Sequence, residues 1–208
     1  MRDQEAASRD LQAIANALAH DWKGPLNTVS LYAGVLEMKH PEDEEIQTIV
    51  RAAGQVLTRF KALSLYLRTH DVGEGPACLQ DLRPEDRERL QAHDVSGWDT
   101  ELSIDSTSLG RLVMALVDNA EQHGQGPVRV VAERAGDADV LRVTDSGPGL
   151  PDSMVGRATT LLVSSSPTTH AGVGLALAER VATECGGSLQ LTKADGSFTV
   201  EARWPRRI

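Results

Sequence analysis

Two apolar stripes separated by one proline-bearing break constrain the first third of this chain more than any other feature. Leu11, Ile14, Leu18, Trp22, Pro25, Val29, Tyr32 and Leu36 recur at alternating three- and four-residue steps, and Ile46, Ile49, Ala53, Leu57, Phe60, Leu63 and Leu67 repeat that spacing. Such steps average about 3.5 residues, the seam of packed helices. Between the stripes stands His40-Pro41-Glu42-Asp43. Proline there suits a first helical position, and the acids suit an N-terminal turn. The pattern predicts an antiparallel helical hairpin over residues 1–70. A hairpin buries only one side of each helix, so it needs a partner. A second copy, giving a symmetric four-helix bundle, is the simplest one; docking on the rest of the same chain is the alternative.

The segment His70–Pro76 (HDVGEGP) is polar and glycine-rich, as a linker is. The periodicity then changes. Thr100–Ile104 alternates like a strand, and Asp105 or Ser106 can cap a helix from about Ser108 to His123. Val128–Glu133 and Val140–Thr144 read as strands with Gly136-Asp137 in the turn between them. Leu175–Cys185 reads as a helix stopped by Gly186-Gly187. Ser188–Lys193 and Ser197–Trp204 flank Asp195-Gly196, a strong hairpin signal. Residues 77–208 are therefore expected to form an α/β sandwich, helices layered on a mixed sheet. Ala77–Asp99 has no assigned element and is expected only to help build that domain.

The formal net charge is −9, so the surface repels nucleic acid and anionic lipid, and neither is expected as a main partner. No run of about 18 apolar residues is present, and MRDQEAASRDLQ is too charged for a signal peptide. The expectation is a cytoplasmic protein without a membrane span. Cys78 and Cys185 are far apart and in no metal-ligand spacing; they are expected to be inert reduced thiols.

Four short motifs carry chemistry. In LAHDWKGPLN (Leu18 to Asn27), His20 lies about 200° around the helix from the seam, which points it at solvent. Asp21 can accept a hydrogen bond from one ring nitrogen and leave the other nucleophilic. Pro25 frees the carbonyl of Asp21 and should bend the helix there. In LVMALVDNAEQHG (Leu112 to Gly124), Asn119 offers a carboxamide oxygen suited to Mg²⁺ held mainly by nucleotide phosphates. In DSGPGL (Asp145 to Leu150), Asp145 can accept from the exocyclic amine of adenine while the glycines allow close approach of a flat ring. In HAGVGLAL (His170 to Leu177), Gly172 and Gly174 open a helix whose first N–H groups can hold phosphate oxygens. The Ser/Thr-rich stretch from Thr159 to Thr169 is long enough to close over a nucleotide as a lid.

In this order and spacing the motifs resemble those of two-component sensor histidine kinases. LAHDWKGPLN resembles the phospho-acceptor box of the dimerisation and histidine-phosphotransfer domain, LVMALVDNAEQHG the asparagine box, and DSGPGL and GVGLAL the two glycine boxes. The resemblance implies a GHKL-type ATP-binding domain, helices on one face of a mixed sheet, behind a dimeric four-helix bundle. It implies His20 as the phosphorylated histidine and Asp21 as its acidic helper. It implies nucleotide binding by Asn119, His123, Asp145, Gly147, Gly149, Gly172, Val173, Gly174 and Leu175, with Asn119 on Mg²⁺. ATP and Mg²⁺ are the implied cofactors, and a response-regulator receiver domain and a second copy of the chain the implied partners.

Three positions and the lid depart from the family pattern. Ala115 stands where a second asparagine is usual, and Gln122 where Lys or Arg is common. The lid has no phenylalanine, and Gly24 replaces the Thr or Asn of kinases that also dephosphorylate their partner. A low kinase rate and weak phosphatase activity are the expectations. Two alternatives stay open: an ATP-independent histidine phosphotransfer protein with a degenerate kinase domain, and a dimeric scaffold that binds nucleotide as a switch.

Overall fold

In the computed structural model, described over residues 2–67, 75–161, 172–194 and 196–206, local sequence sets both helices of the hairpin. Helix α1 (Arg2–Lys39) runs through Pro25 as one element, and α2 (Glu44–Leu67) follows after a short turn. Asp43 starts α2: its Oδ1 accepts the N–H groups of Glu45 and Ile46 at 3.0 and 3.1 Å, donors that the first turn of a helix leaves open. Pro41 was expected at the first helical position but lies in the turn before it, its carbonyl accepting from Gln47 Nε2.

On α1 the seam runs one residue later than the expected stripe, whereas on α2 it keeps the expected Ile46, Ala53, Leu57 and Phe60. Ala33 is buried and Leu26, Ser30 and Gly34 are half-buried on α1, as are Ile46, Val50, Ala53, Leu57 and Phe60 on α2. Trp22, Val29, Tyr32 and Leu36, expected inside the seam, are instead 57, 53, 65 and 43% exposed, and Ile49 and Val56 of α2 are also exposed. The side chains of Leu11, Ile14, Leu18, His20 and Leu67 lie outside the described residues.

The second unit comprises His70–Leu161 and Gly174–Ile208. Its strands are β1 (Asp94–Ser96), β2 (Arg129–Ala135), β3 (Ala138–Asp145), β4 (Ser188–Ala194) and β5 (Ser197–Pro205). They form one mixed sheet in the order β1-β2-β3-β5-β4, with β1 parallel to β2 and the other pairs antiparallel. The register aligns Val130, Val143, Val200 and Leu191 in one row, and Ala132, Leu141, Ala202 and Leu189 in the next. Helices α4 (Ser106–His123) and α6 (Gly174–Glu184), with the one-turn α5 (Asp152–Val155) between them in the chain, are the longest of this unit, and α4 and α6 pack on the sheet and on each other. α4 buries Leu109, Leu112, Val113, Leu116, Val117 and Ala120, the three- and four-residue steps of one helical face. The opposite sheet face is polar: Arg142 Nη2 donates to Glu201 at 2.8 Å and Glu133 at 3.1 Å, and the Thr144 and Thr199 hydroxyls pair at 2.9 Å. The helix-on-sheet architecture follows the expectation.

Both hairpin turns stand where the glycines put them, with Gly136 at φ 67° and Gly196 at φ 77°, backbone that residues with a Cβ rarely adopt. Asp105 caps α4, its Oδ1 accepting from the N–H groups of Thr107 and Ser108 at 3.0 and 2.9 Å. Asp105→Ala is expected to cost about 0.5–2 kcal/mol, read as a lower urea midpoint at unchanged slope.

Ala77–Asp99 is more ordered than its sequence suggested. It holds a 3-10 turn (Leu79–Asp81), α3 (Pro84–Leu90) and β1. Thr100–Ile104, by contrast, is no strand. Leu102 makes a single antiparallel bridge to Ala77, and the Ser103 N–H donates to the buried Asp139 carboxylate at 2.6 Å rather than to a neighbouring strand. Leu102 and Ile104 are buried, which produces alternation without a ladder. Among the described residues no helix is long and apolar enough to cross a membrane. Residues 68–74 and 162–171, most of the expected linker and of the expected lid, lie outside the described residues.

Candidate functional site

Asp145 closes β3 with its side chain turned into the unit, 4% exposed. Burial pushes its carboxyl above the ordinary 3.8, and the Gly147 N–H, donating to Oδ1 at 2.7 Å, pulls it partly back. Among the described residues no other hydrogen bond reaches this carboxylate, so Oδ2 is left to accept from a ligand.

The backbone around this acid tolerates only glycine. A Cβ on Gly147 would lie 2.7 Å from Asp145 Oδ1 and from Gly124 Cα, and a Cβ on Gly124 would lie 2.6 Å from Asp145 Cβ. The end of α4 and the turn after β3 thus pack main chain against main chain. Gly149, at φ 67°, has its missing Cβ directed at the Phe198 ring, 2.8 Å away, and at the Lys193 stem, 3.4 Å away. Gly124, Phe198 and Lys193 are contributions that sequence reasoning missed. Phe198 and Lys193 lie on strands remote in sequence, and only the β3–β5 and β4–β5 register, Asp145 beside Phe198 beside Lys193, brings them here.

Asn119 and His123 are four residues apart on the last turns of α4, both half-buried, on one helical face. Gly174 opens α6 against α4: its Cβ would lie 3.3 Å from the Ala115 carbonyl oxygen. Ala115 is itself 5% exposed, so this position is filled by helix packing and carries no side-chain oxygen. Leu175 and Val173 are 7 and 5% exposed; what they can offer a phosphate is backbone N–H. Gly172 has φ 65°, directly before the helix. His20 and Asp21 are on α1, Asp21 exposed.

A second cluster borders Asn119. Arg89 at the end of α3 reaches Asp118 Oδ1 at 2.6 Å and also the Glu121 carboxylate, whose other oxygen meets His93 Nε2 at 2.9 Å. The Arg89 guanidinium holds the Glu121 carboxyl below its usual range, and Glu121 in turn pushes Arg89 further up. Arg89 and Glu121 are 32 positions apart, and no motif spacing announces the pair.

The residues fit an adenine nucleotide: a buried carboxylate with one oxygen spare, followed by a turn in which Gly147 and Gly149 leave no room for a Cβ. Among the described residues no group of three His, Cys, Asp or Glu could hold a metal. Mg²⁺ bound by Asn119 would therefore take most of its ligands from phosphate oxygens and water.

Comparison with known proteins places these features in a family. Residues 104–208 match the model of the histidine kinase-, DNA gyrase B- and HSP90-like ATPases. The nitrogen regulation protein NtrY of Azorhizobium caulinodans is 26% identical over 87% of this chain and 27% of its own length. The aerobic respiration control sensor ArcB of Escherichia coli is 26% identical over 97% of the chain and 30% of its own length. The sensor histidine kinase GtrS of Pseudomonas aeruginosa is 26% identical over 93 and 41%. The chain thus spans well under half of the curated relatives it matches. Among solved structures, full-length ShkA in complex with AMPPNP shares the fold at TM-score 0.63 and 19% identity, over 94% of this chain and 47% of that one. The Acinetobacter baumannii histidine kinase AdeS shares it at TM-score 0.59 and 17% identity, over 89 and 97%.

Proposed function

We propose, from the premise that this chain belongs to the histidine kinase-, DNA gyrase B- and HSP90-like ATPase family, that it is a two-component histidine kinase core that phosphorylates its own His20 from ATP. The observation that carries the reading is Asp145: a buried carboxylate, one oxygen held by Gly147 N–H and the other left to accept, beside a turn in which Gly147 and Gly149 leave no room for a Cβ. That arrangement recognises an amine donor on a flat heterocycle, as adenine presents.

In the proposed reaction Asp145 holds the base. Asn119 supplies one oxygen to Mg²⁺, which when bound offsets phosphate charge. The backbone N–H groups at Gly174 and Leu175 face phosphate oxygens at the positive end of α6. His20 supplies the nucleophile: a bond forms from its unprotonated ring nitrogen to the γ-phosphorus as the bond to the ADP oxygen breaks. Asp21 accepts the other ring N–H and stabilises the positive charge that develops on the ring. An aspartate of a response-regulator receiver domain then takes the phosphoryl group. The exposed apolar stripe of Trp22, Val29, Tyr32 and Leu36 supports a second copy as the hairpin's partner, since an unpaired patch of this kind marks an association surface.

Incubation with γ-labelled ATP and Mg²⁺ tests the reading, with light scattering to read the mass in solution. Acid-labile, alkali-stable label on a dimer is the expected result. Label stable to acid, or a monomer without label, contradicts it. The buried, oxygen-free Ala115 favours a second reading, an ATP-independent histidine phosphotransfer protein. No ATP binding, together with phosphate uptake from a phosphorylated receiver domain, would establish that one instead.

A further inference from the structure

We infer that Arg89 is a positioning residue for Asn119: by tying Asp118 and Glu121 to α3, it sets the rotation of the last turn of α4 and so the direction of the Asn119 carboxamide. The inference deepens the proposed function and rests on Asn119 meeting Mg²⁺.

Asp118 and Glu121, three residues apart, lie on one face of α4, while Asn119 lies about 100° around the helix from Asp118. One guanidinium reaches both acids, and His93 takes the second oxygen of Glu121. The turn carrying Asn119 is thus gripped through both of its acidic neighbours by side chains from outside the helix. It needs such a grip, because α4 ends only four residues later at His123, and the carbonyls of a helix's last turn have few partners. Gly124 N–H caps this end on the Ala120 carbonyl at 2.8 Å. Mg²⁺ demands near-ideal octahedral geometry at about 2.0–2.1 Å, so a small rotation of this turn would take the carboxamide oxygen out of reach. Both acids meet the same guanidinium nitrogen, Arg89 Nη2, whose two N–H groups can serve one carboxylate each.

Arg89, Asp118 and Glu121 have side chains 37, 46 and 35% exposed, and ion pairs that open to solvent add little to stability. A positioning role and a merely structural one therefore separate. The test uses the whole chain and calorimetric ATP binding, with Mg²⁺ and with chelator. In Arg89→Ala the Mg²⁺-dependent gain in affinity is expected to fall roughly tenfold, the scale of lost ligand-orienting partners in metal sites. Binding in chelator and the urea midpoint should stay near those of the unaltered chain, and Arg89→Lys should recover part of the gain. A Mg²⁺ gain left intact in Arg89→Ala, or equal losses with and without Mg²⁺, overturns the inference alone. If the unaltered chain shows no Mg²⁺ gain, or Asn119→Ala leaves the gain unchanged, the reading of Asn119 fails and the inference with it.

Discussion

His20→Gln is expected to leave no acid-labile, alkali-stable label on the chain after incubation with γ-labelled ATP, a loss of at least about a thousandfold. The chemical reason is direct. A neutral imidazole has one ring nitrogen with an available lone pair, whereas the glutamine nitrogen is conjugated with its carbonyl and is a poor nucleophile. Glutamine also retains helix propensity close to that of the best formers, so α1 should persist. Two measurements on the same variant isolate the chemistry: ATP binding should be unchanged, since the candidate nucleotide residues Asp145 and Asn119 are on β3 and α4, and circular dichroism should show undiminished helix. Label persisting in His20→Gln would place the phospho-acceptor elsewhere.

Asp145→Asn is expected to weaken ATP binding by roughly ten- to a hundredfold, the scale of losing one charge-assisted hydrogen bond and leaving its donor unpaired. The amide can satisfy either the Gly147 N–H, which Asp145 Oδ1 now accepts at 2.7 Å, or the adenine amine, but not both, because its second group is itself a donor. Stability should move the other way. Burial holds the folded-state carboxyl above the ordinary 3.8, so between that value and its folded-state pKa the folded chain keeps a proton that the unfolded chain has released. Stability contributed by this group therefore falls as pH rises through that window and stays low above it. Asparagine removes the charge, so at neutral pH the nucleotide-free variant should be at least as stable as the unaltered chain. ATP affinity of the unaltered chain should decline on acidification at a higher pH than an ordinary carboxylate would cause. A variant that binds ATP normally, or whose stability retains this pH dependence, would remove Asp145 from the role assigned to it.

The parts of the fold legible in the sequence are those whose signal is local. Asp105 caps α4 because its side chain and the open N–H groups are two and three residues apart. Gly136 and Gly196 turn their hairpins because no other residue sits easily at their φ. The candidate nucleotide residues were legible for the same reason: Asp145 and Gly147 are two residues apart and hydrogen-bond directly. The Thr100–Ile104 alternation misled because burial of Leu102 and Ile104 has the same period as a strand, while pairing depends on a partner backbone that only Ala77 supplies.

By itself, then, the sequence determined which segments are helix and which are strand wherever period, cap and turn agreed, and it placed the four motifs on their elements. Tertiary structure alone decided which stripe of α1 meets α2, since Leu26 and Ala33 lie one residue from Pro25 and Tyr32 and local periodicity does not choose between the two stripes. It alone decided that Gly124 lies against Asp145, that Phe198 and Lys193 underlie Gly149, and that Arg89 grips the acids beside Asn119. These contacts join residues far apart in the chain, and their energy exists only once the sheet has set its register and the helices have been laid on it.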